Sequence, residues 1–281
     1  EKIDCKIVFP GDICGSVRKL SDETKSKYEN ASFEAIVNGQ MAVLLLAGGQ
    51  GTRLGVPYPK GMYNVGLPSE KTLFQLQAER LLKLQSLAEK ATGKTCVNGI
   101  PWYIMTSAST IQPTKDFFQK NNYFGLKKEN VVVFQQGTLP CFAFSGKMLM
   151  QSKHQLARAP DGNGGLYRAL KQDGILDHME SRGVEYVQLY CVDNILVKIG
   201  DPLFTGYAIE MKAECANKVV CKGFPTESVG ITCKVNGKYQ VYIHVQAQDC
   251  QGGLDFLTRK TGRAKRLQNI FVKFLNLVKN G

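Results

Sequence analysis

A glycine-rich segment that carries an arginine follows an apolar run early in the chain. The run 43–46 has the character of a buried strand, and positions 48–55 directly after it contain four glycines and Arg53. Glycine lets backbone N–H groups come close to a ligand because it has no Cβ, and the arginine guanidinium fits phosphate oxygens. Lys60, held in a stiff Pro-Lys pair, adds a second cation. These residues predict a strand-to-loop site for a phosphorylated ligand.

The familiar glycine motifs do not describe this segment. A dinucleotide fingerprint needs a third glycine where Leu54 stands, and a P-loop needs Ser or Thr where Gly61 follows Lys60. A glycine-rich turn without a ligand is the plain alternative. The two cations argue against that alternative, because a simple turn has no use for them.

Three later loops carry polar side chains suited to the rest of a nucleotide. Gln136 offers both a hydrogen-bond donor and an acceptor, which fits the edge of a uracil ring. The sequence Asp-Gly-Asn-Gly-Gly at 161–165 is either a surface turn or a place where a base or sugar approaches the backbone while Asn163 hydrogen-bonds it. Asp193, at the end of a predicted buried strand, needs a partner. We expect either Mg²⁺ shared with phosphates or a capping role at the following helix or turn.

The elements that must position these loops alternate between strand and helix. Strands are predicted at 42–47, 101–106, 130–135 and 186–192, and helices from Ser21, over 72–90, near 111–121 and over 169–180. This alternation predicts an α/β fold with a Rossmann-like, doubly wound and mostly parallel sheet. Ligands of such sheets bind at the carboxyl ends of the strands. The polar loops are therefore expected to meet at one edge.

Five motifs in colinear order identify a family. They are LAGGQGTRLG at 46–55, PKGMY at 59–63, FQQG at 134–137, APDGNGG at 159–165 and VDN at 192–194. Together they closely resemble the eukaryotic UDP-N-acetylhexosamine pyrophosphorylases, a branch of the UDP-sugar pyrophosphorylases, from about residue 41 to residue 240. The resemblance implies a Rossmann-like nucleotidyltransferase domain. It also implies that UTP and N-acetylglucosamine 1-phosphate react to give UDP-N-acetylglucosamine and pyrophosphate, with Mg²⁺ as cofactor.

Carried over motif by motif, the resemblance gives each site residue a role. Arg53 would hold the leaving β- and γ-phosphates, Lys60 would stabilise charge at the α-phosphate, and Asp193 would bind Mg²⁺. Gln136 and Gly162 would contact uracil. The full set of nucleotide-binding residues implied is Leu46, Ala47, Gly48, Gly49, Gln136 and Gly162, and the sugar-binding residues are Asn163 and Glu227. Catalysis would rest on positioning and charge neutralisation.

The resemblance breaks off after Val241. A carboxylate-bearing segment that the family uses for the sugar is replaced by Tyr-Ile-His-Val-Gln at 242–246. We therefore divide the chain into an N-terminal helical segment (1–40), a nucleotidyltransferase domain (41–240) and a divergent basic tail (241–281). An amphipathic helix is predicted from Leu267 to Gly281. The alternative function is a catalytically impaired paralogue that binds UTP or UDP-sugars.

The tail itself allows several interpretations. A basic amphipathic helix could lie on a membrane surface or dock a partner, and the basic run at 259–266 could be a nuclear signal or an RNA patch. We favour a divergent or alternative end, from a truncated transcript or gene model, without a selected function.

Composition limits the remaining possibilities. The formal net charge of +12 suits phosphate substrates, and without a nucleic-acid motif we expect no nucleic-acid partner. Nine cysteines without metal-site spacing predict reduced thiols in a cytoplasmic protein. No apolar run is long enough for a transmembrane helix, and we expect no membrane partner.

Overall fold

The computed structural model describes residues 16–221, 231–235, 238–242 and 265–273. Side chains are described for 16–218, apart from that of Arg53. The chain divides into two compact units, and the larger one contains Lys27–Cys215. The described strands within 216–270 belong to the smaller unit.

Four parallel strands form the sheet of the larger unit. They are β1 (Met41–Leu46), β2 (Trp102–Thr106), β3 (Val131–Gln135) and, further along the chain, β8 (Tyr186–Cys191). Their order across the sheet is β3-β2-β1-β8, with Leu46 opposite both Met105 and Cys191. The central strands β1 and β2 are almost entirely buried, as their continuous apolar sequences predict. The predicted parallel α/β sheet is confirmed.

Helices alternate with these strands. They are α1 (Asp22–Val37), α2 (Leu73–Thr92), α3 (Ile111–Lys120), α4 (Gly165–Gln172), α5 (Ile175–Ser181) and α6 (Pro202–Glu210). Short 3-10 turns occupy Val17–Lys19, Thr52–Leu54, Lys60–Met62, Asn122–Gly125 and Lys128–Asn130. Thr72 accepts a hydrogen bond from the Gln75 N–H at 3.3 Å and so caps α2, as its position before the leucine pattern predicts.

The single helix predicted over 169–180 is wrong. The structure has two helices there, α4 and α5, and α4 already begins at Gly165. Gly174 between them has a φ of +65°, a left-handed conformation that interrupts a helix and that glycine adopts without strain.

An insertion of short strands lies between β3 and α4. Its strands are β4 (Thr138–Pro140), β5 (Met150–Ser152), β6 (Gln155–Leu156) and β7 (Arg158–Pro160). β4 pairs with β7 and β5 pairs with β6, both antiparallel. We call residues 138–160 the arm. Its strands are too short for their sequence pattern to predict them.

The described strands after Cys215 are β9 (Cys215–Cys221), β10 (Ile231–Val235), β11 (Lys238–Tyr242) and β12 (Lys265–Lys273). β10 and β11 form an antiparallel hairpin, and Ile231 of β10 pairs with Arg266 of β12. The helix predicted from Leu267 is therefore wrong up to Lys273. The Ile-Phe-Val sequence at 270–272 favours a strand, and pairing with neighbouring strands stabilises it. The rest of the predicted tail helix lies outside the described residues.

Candidate nucleotide site

The glycine-rich loop after β1 folds back on itself and brings Lys60 to the end of the strand. The Gly51 N–H donates to the Tyr58 carbonyl at 3.0 Å, and the Lys60 N–H donates to the Gly49 carbonyl at 3.4 Å. A Cβ added to Gly61 would overlap the Phe74 ring in the core. The loop is therefore closed at its base, and Lys60 is anchored by a neighbour that must be glycine.

Lys60 forms an ion pair with Asp193 beyond the end of β8. The Lys60 Nζ lies 2.7 Å from the Asp193 Oδ1, and the Lys60 side chain is 17% exposed while that of Asp193 is 67% exposed. Asp193 was expected to need a partner because of burial at a strand end. That reason is wrong, because β8 ends at Cys191 and the carboxylate reaches solvent. Its partner in the structure is Lys60, the second of the two cations predicted to bind phosphate.

Gln136 covers the first glycine of the loop. The Gln136 N–H donates to the Thr106 carbonyl at 2.8 Å, which holds the residue beside the end of β2, and only 7% of its surface is exposed. A Cβ added to Gly48 would lie 3.0 Å from the Gln136 Nε2. The amide can lie against the Gly48 backbone because no Cβ intervenes. Gly48 thus allows this close packing, and its backbone has no positive φ.

Asp161 joins the loop after β3 to the start of α4. Both of its carboxylate oxygens are buried and have no hydrogen-bond partner in the structure. A Cβ added to Gly137 would lie 2.6 Å from the Asp161 Oδ2, and one added to Gly165 would overlap the carboxylate. The amino terminus of α4 favours a negative charge nearby. Gly162 and Asn163, the next two residues, are exposed.

The loop that carries Asp193 is held by an arginine from α2. The Arg80 Nη1 donates to the Ile195 carbonyl at 2.7 Å and to the Val197 carbonyl at 3.2 Å. Neither Arg80 nor Asp161 was given a role from the sequence. The Asp-Gly turn was the only local signal for Asp161, and nothing near Arg80 in the sequence signals its contact.

The other predicted site residues differ in how far the structure describes them. The Ala47 N–H donates to the Met105 carbonyl at 2.8 Å, and the Leu46 carbonyl accepts from the Val192 N–H at 3.1 Å, so both lie where the strand ends meet. The backbone of Arg53 lies in the Thr52–Leu54 turn. Glu227 lies outside the described residues.

A thiol also lies at this edge. Cys191 is exposed as a residue, yet desolvation of its sulfur raises the pKa of the thiol, and the Asp193 carboxylate raises it further. A raised pKa keeps the thiol protonated at neutral pH and therefore a poor nucleophile. Cys191 is therefore a poor candidate for a covalent nucleophile.

Magnesium would have to share its ligands with phosphate. Among the side chains that the structure describes, no group of three or more His, Cys, Asp and Glu residues could hold a metal ion. One exposed carboxylate, Asp193, faces the same place as Lys60. Because Mg²⁺ commonly takes one or two carboxylates and completes its shell with phosphate oxygens and water, this donor set fits it.

The chain is similar to a family of nucleotidyltransferases. The family model described as UTP–glucose-1-phosphate uridylyltransferase matches residues 13–273. The UDP-N-acetylhexosamine pyrophosphorylase-like protein 1 of Xenopus tropicalis is 54% identical over 232 residues, which are 83% of this chain and 45% of that protein. The UDP-N-acetylglucosamine diphosphorylase 2 of Arabidopsis thaliana is 44% identical over 282 residues, covering 97% of this chain and 56% of that protein.

A solved structure supports the same relationship. The crystal structure of a putative UDP-N-acetylglucosamine pyrophosphorylase from Entamoeba histolytica superposes with a TM-score of 0.83 at 34% identity, covering 91% of this chain and 64% of that chain. This chain spans about half the length of the curated relatives it matches. The family match continues past Val241, where the motif resemblance breaks off.

Proposed function

Because the chain belongs to the UTP–glucose-1-phosphate uridylyltransferase family, we propose that it transfers uridylate from UTP to N-acetylglucosamine 1-phosphate. The products are UDP-N-acetylglucosamine and pyrophosphate. The observation that carries the proposal is the meeting of Lys60, Asp193 and Gln136 at the carboxyl ends of parallel strands. That edge is where sheets of this class bind nucleotides.

Uracil is recognised on the Gln136 side of the edge. The Gln136 amide carries a donor and an acceptor next to the open backbone of Gly48, and both match a pyrimidine edge. Gly162 has a φ of +79° and nothing within 4 Å of where a Cβ would stand, so a base can approach its backbone closely.

The triphosphate lies on the Lys60 side. A Cβ on Gly49 would be 3.7 Å from the Lys60 Nζ, so the ammonium group lies directly over the loop. A sugar-phosphate oxygen attacks the α-phosphorus, and the bond to the bridging oxygen of the β-phosphate breaks, releasing pyrophosphate. Lys60 neutralises charge that develops at the α-phosphate, and Arg53 holds the leaving phosphates.

Asp193 is the proposed magnesium ligand. Bound Mg²⁺ would supply further neutralisation of phosphate charge. In the structure the Asp193 carboxylate pairs with Lys60 instead. A bound nucleotide would give each of these groups a new partner, the ammonium a phosphate oxygen and the carboxylate the metal ion. The pair thus keeps both groups in place between turnovers.

We propose an acetamido sugar 1-phosphate as the second substrate, on the basis of the names of the relatives and of two residues. The relatives named above carry N-acetylhexosamine or N-acetylglucosamine in their names. Asn163 is exposed beside the uracil-binding loop and would contact the sugar, together with Glu227.

The cytoplasmic location stays a prediction. None of the helices in the described part of the chain is long and apolar enough to cross a membrane.

A second candidate function is UTP or UDP-sugar binding without turnover. It is favoured by the break in the motif resemblance after Val241, where Tyr-Ile-His-Val-Gln at 242–246 replaces the carboxylate-bearing segment that the family uses for the sugar. In this case the nucleotide would bind as described and the sugar phosphate would not be held for attack.

Pyrophosphate release separates the two candidates. Purified protein is given UTP, Mg²⁺ and either N-acetylglucosamine 1-phosphate or N-acetylgalactosamine 1-phosphate, and UTP binding is measured in parallel. Release that is lost in Lys60→Ala and retained in Lys115→Ala, an exposed lysine on α3, supports the transferase. UTP binding without release overturns the transferase in favour of the second candidate. Absence of UTP binding contradicts both.

A further inference from the structure

The arm is built as a three-way junction of backbone hydrogen bonds. The Cys141 N–H donates to the Ala157 carbonyl, the Ala157 N–H to the Leu149 carbonyl, and the Leu149 N–H to the Cys141 carbonyl, each at 2.8 Å. The β4–β7 stem and two hairpins, at 141–149 and 150–156, meet at this closed ring. The arm therefore ends in two hairpin tips, and its strands do not form one continuous sheet.

The arm buries none of its own residues. Every residue from 138 to 160 is exposed or half-buried. Large apolar side chains that are exposed concentrate in its first half: Leu139, Phe142, Phe144, Met148, Leu149 and Met150. Six large apolar side chains exposed within twelve residues are unusual for surface hairpins, and such a concentration marks a candidate interaction site.

The first hairpin presents an aromatic side chain at its tip. The Gly146 N–H donates to the Ala143 carbonyl at 2.9 Å, which makes a tight turn with Phe144 inside it. Phe144 is completely exposed. Phe142 and Met148, which form an antiparallel bridge, lie next to the turn on the two sides of the hairpin. The turn itself does not depend on the Phe144 side chain.

The charges of the arm have one sign. Residues 138–160 contain Lys147, Lys153 and Arg158 and no Asp or Glu. Arg158 is engaged within the stem, where its Nε donates to the Thr138 Oγ1 at 2.7 Å. Lys147 follows the aromatic turn, and Lys153 lies in the turn of the second hairpin, so a free cation belongs to each tip region.

We propose that the arm docks on an anionic lipid surface. Apolar side chains at a tip together with cations and no carboxylate satisfy the two requirements of peripheral binding, an apolar anchor and electrostatic attraction. A second copy of the chain is a poorer occupant, because two arms of the same sign would repel within a protein of net charge +12. Surface docking needs no spanning helix, so it is compatible with the absence of one among the described helices. It departs from the expectation of no membrane partner, which rested on the lack of a long apolar run in the sequence.

Vesicle co-sedimentation of the full chain tests this proposal. The vesicles contain phosphatidylcholine alone or phosphatidylcholine with about one third phosphatidylserine, since binding should need anionic lipid. We expect Phe144→Ser to lower the partition coefficient at least about tenfold, because the tip residue no longer enters the interface. We expect the double change Lys147→Gln and Lys153→Gln to lower it about 20-fold or more.

Matched controls separate the arm from the general charge of the protein. Val97→Ser removes an exposed apolar residue outside the arm, where Val97 is 67% exposed, and should change partition less than about twofold. Lys115→Gln with Lys120→Gln removes the same charge from α3 and should have a much smaller effect than the arm pair. Failure to bind the anionic vesicles overturns the proposal and leaves an acidic protein surface as the occupant. Equal losses from the two lysine pairs, with no effect of Phe144→Ser, also overturn it.

Discussion

The two halves of the proposed nucleotide site, one for phosphate and one for the base, are built by different means. The phosphate half, made by Gly49, Lys60 and Asp193, is held by an ion pair that reaches solvent. The base half, made by Gly48, Gln136, Gly137 and the 161–165 loop, is held by side chains that lie where glycines lack a Cβ. An ion pair between two side chains can be replaced by contacts from each side chain to a ligand. Close packing around glycines, in contrast, has to be in place before a ligand binds.

This difference indicates that the phosphate half responds to the charge of the ligand and that the base half determines which base is bound. A partly exposed ion pair gains little free energy by itself, so breaking it to bind phosphate costs little. The base half is closely packed, because Gln136 is almost fully buried and Asp161 lies between two glycines. We therefore expect substitutions in the phosphate half to affect only charged ligands, and substitutions in the base half to affect every uridine derivative.

The largest effect is expected behind the phosphate half, at Gly61. Gly61→Ala would force a Cβ into the buried Phe74 ring, and overpacking at such a site costs about 3 kcal/mol of the free energy of unfolding. Denaturant unfolding measures this, with Gly164→Ala as control because nothing lies within 4 Å of a Cβ there. A loss below about 0.5 kcal/mol would show that the ring can move aside and that Lys60 is not anchored in this way.

The next largest effect is expected from two adjacent glycines in the base half. Gly165→Ala would displace the Asp161 carboxylate and with it the 161–165 loop, which we expect to weaken both uridine and UTP by about 30-fold, or about 2 kcal/mol. Gly164→Ala should leave both affinities within about twofold. Calorimetric titration compares the variants, and equal effects at the two positions would contradict the role given to Asp161.

Lys60→Ala tests the phosphate half alone. Loss of a hydrogen bond to a charged group costs about 1.8 kcal/mol, so UTP affinity should fall about 20-fold while uridine affinity is unchanged. Lys115→Ala serves as the control for net charge. A matching loss of uridine affinity would mean that Lys60 supports the whole loop rather than the phosphates.

The smallest effect is expected at Gln136. Gln136→Ala removes a neutral hydrogen-bonding group, worth about 1 kcal/mol, so uridine and UTP affinity should both fall about fivefold. Combined with Lys60→Ala, the losses in UTP binding should add, because the two residues contact different parts of the ligand. A loss confined to UTP would move Gln136 out of the base half.

Sequence patterns predicted the sheet and the main helix well, because these depend on contiguous residues. Each of β1, β2, β3 and β8 begins and ends within a residue or two of its apolar run, and α2 follows its leucine period from the Thr72 cap. The break at Gly174 was missed although an Asp-Gly pair marks it, because apolar residues continue on both sides. In β12, pairing between strands decided the structure against the helical pattern.

The candidate site residues were chosen from sequence motifs, and the contacts among them were not predicted. Lys60 and Asp193 were both chosen for ligand contacts, and spacing along the chain cannot show that they pair with each other. Arg80 was missed for the same reason, since the carbonyl it contacts is 115 residues away. Asp161 was missed because its burial between Gly165 and the more distant Gly137 leaves no mark in the sequence. The arm was missed because its strands have at most three residues.

Calorimetric titration of the unmodified chain with UTP, CTP and uridine in the presence of Mg²⁺ tests the central claim most directly. Comparison of UTP with uridine reports on the phosphate half, and comparison of UTP with CTP reports on the base half. We predict one UTP bound per chain, more tightly than either of the other two ligands. Equal affinities for all three ligands, or no binding of UTP, would contradict the account.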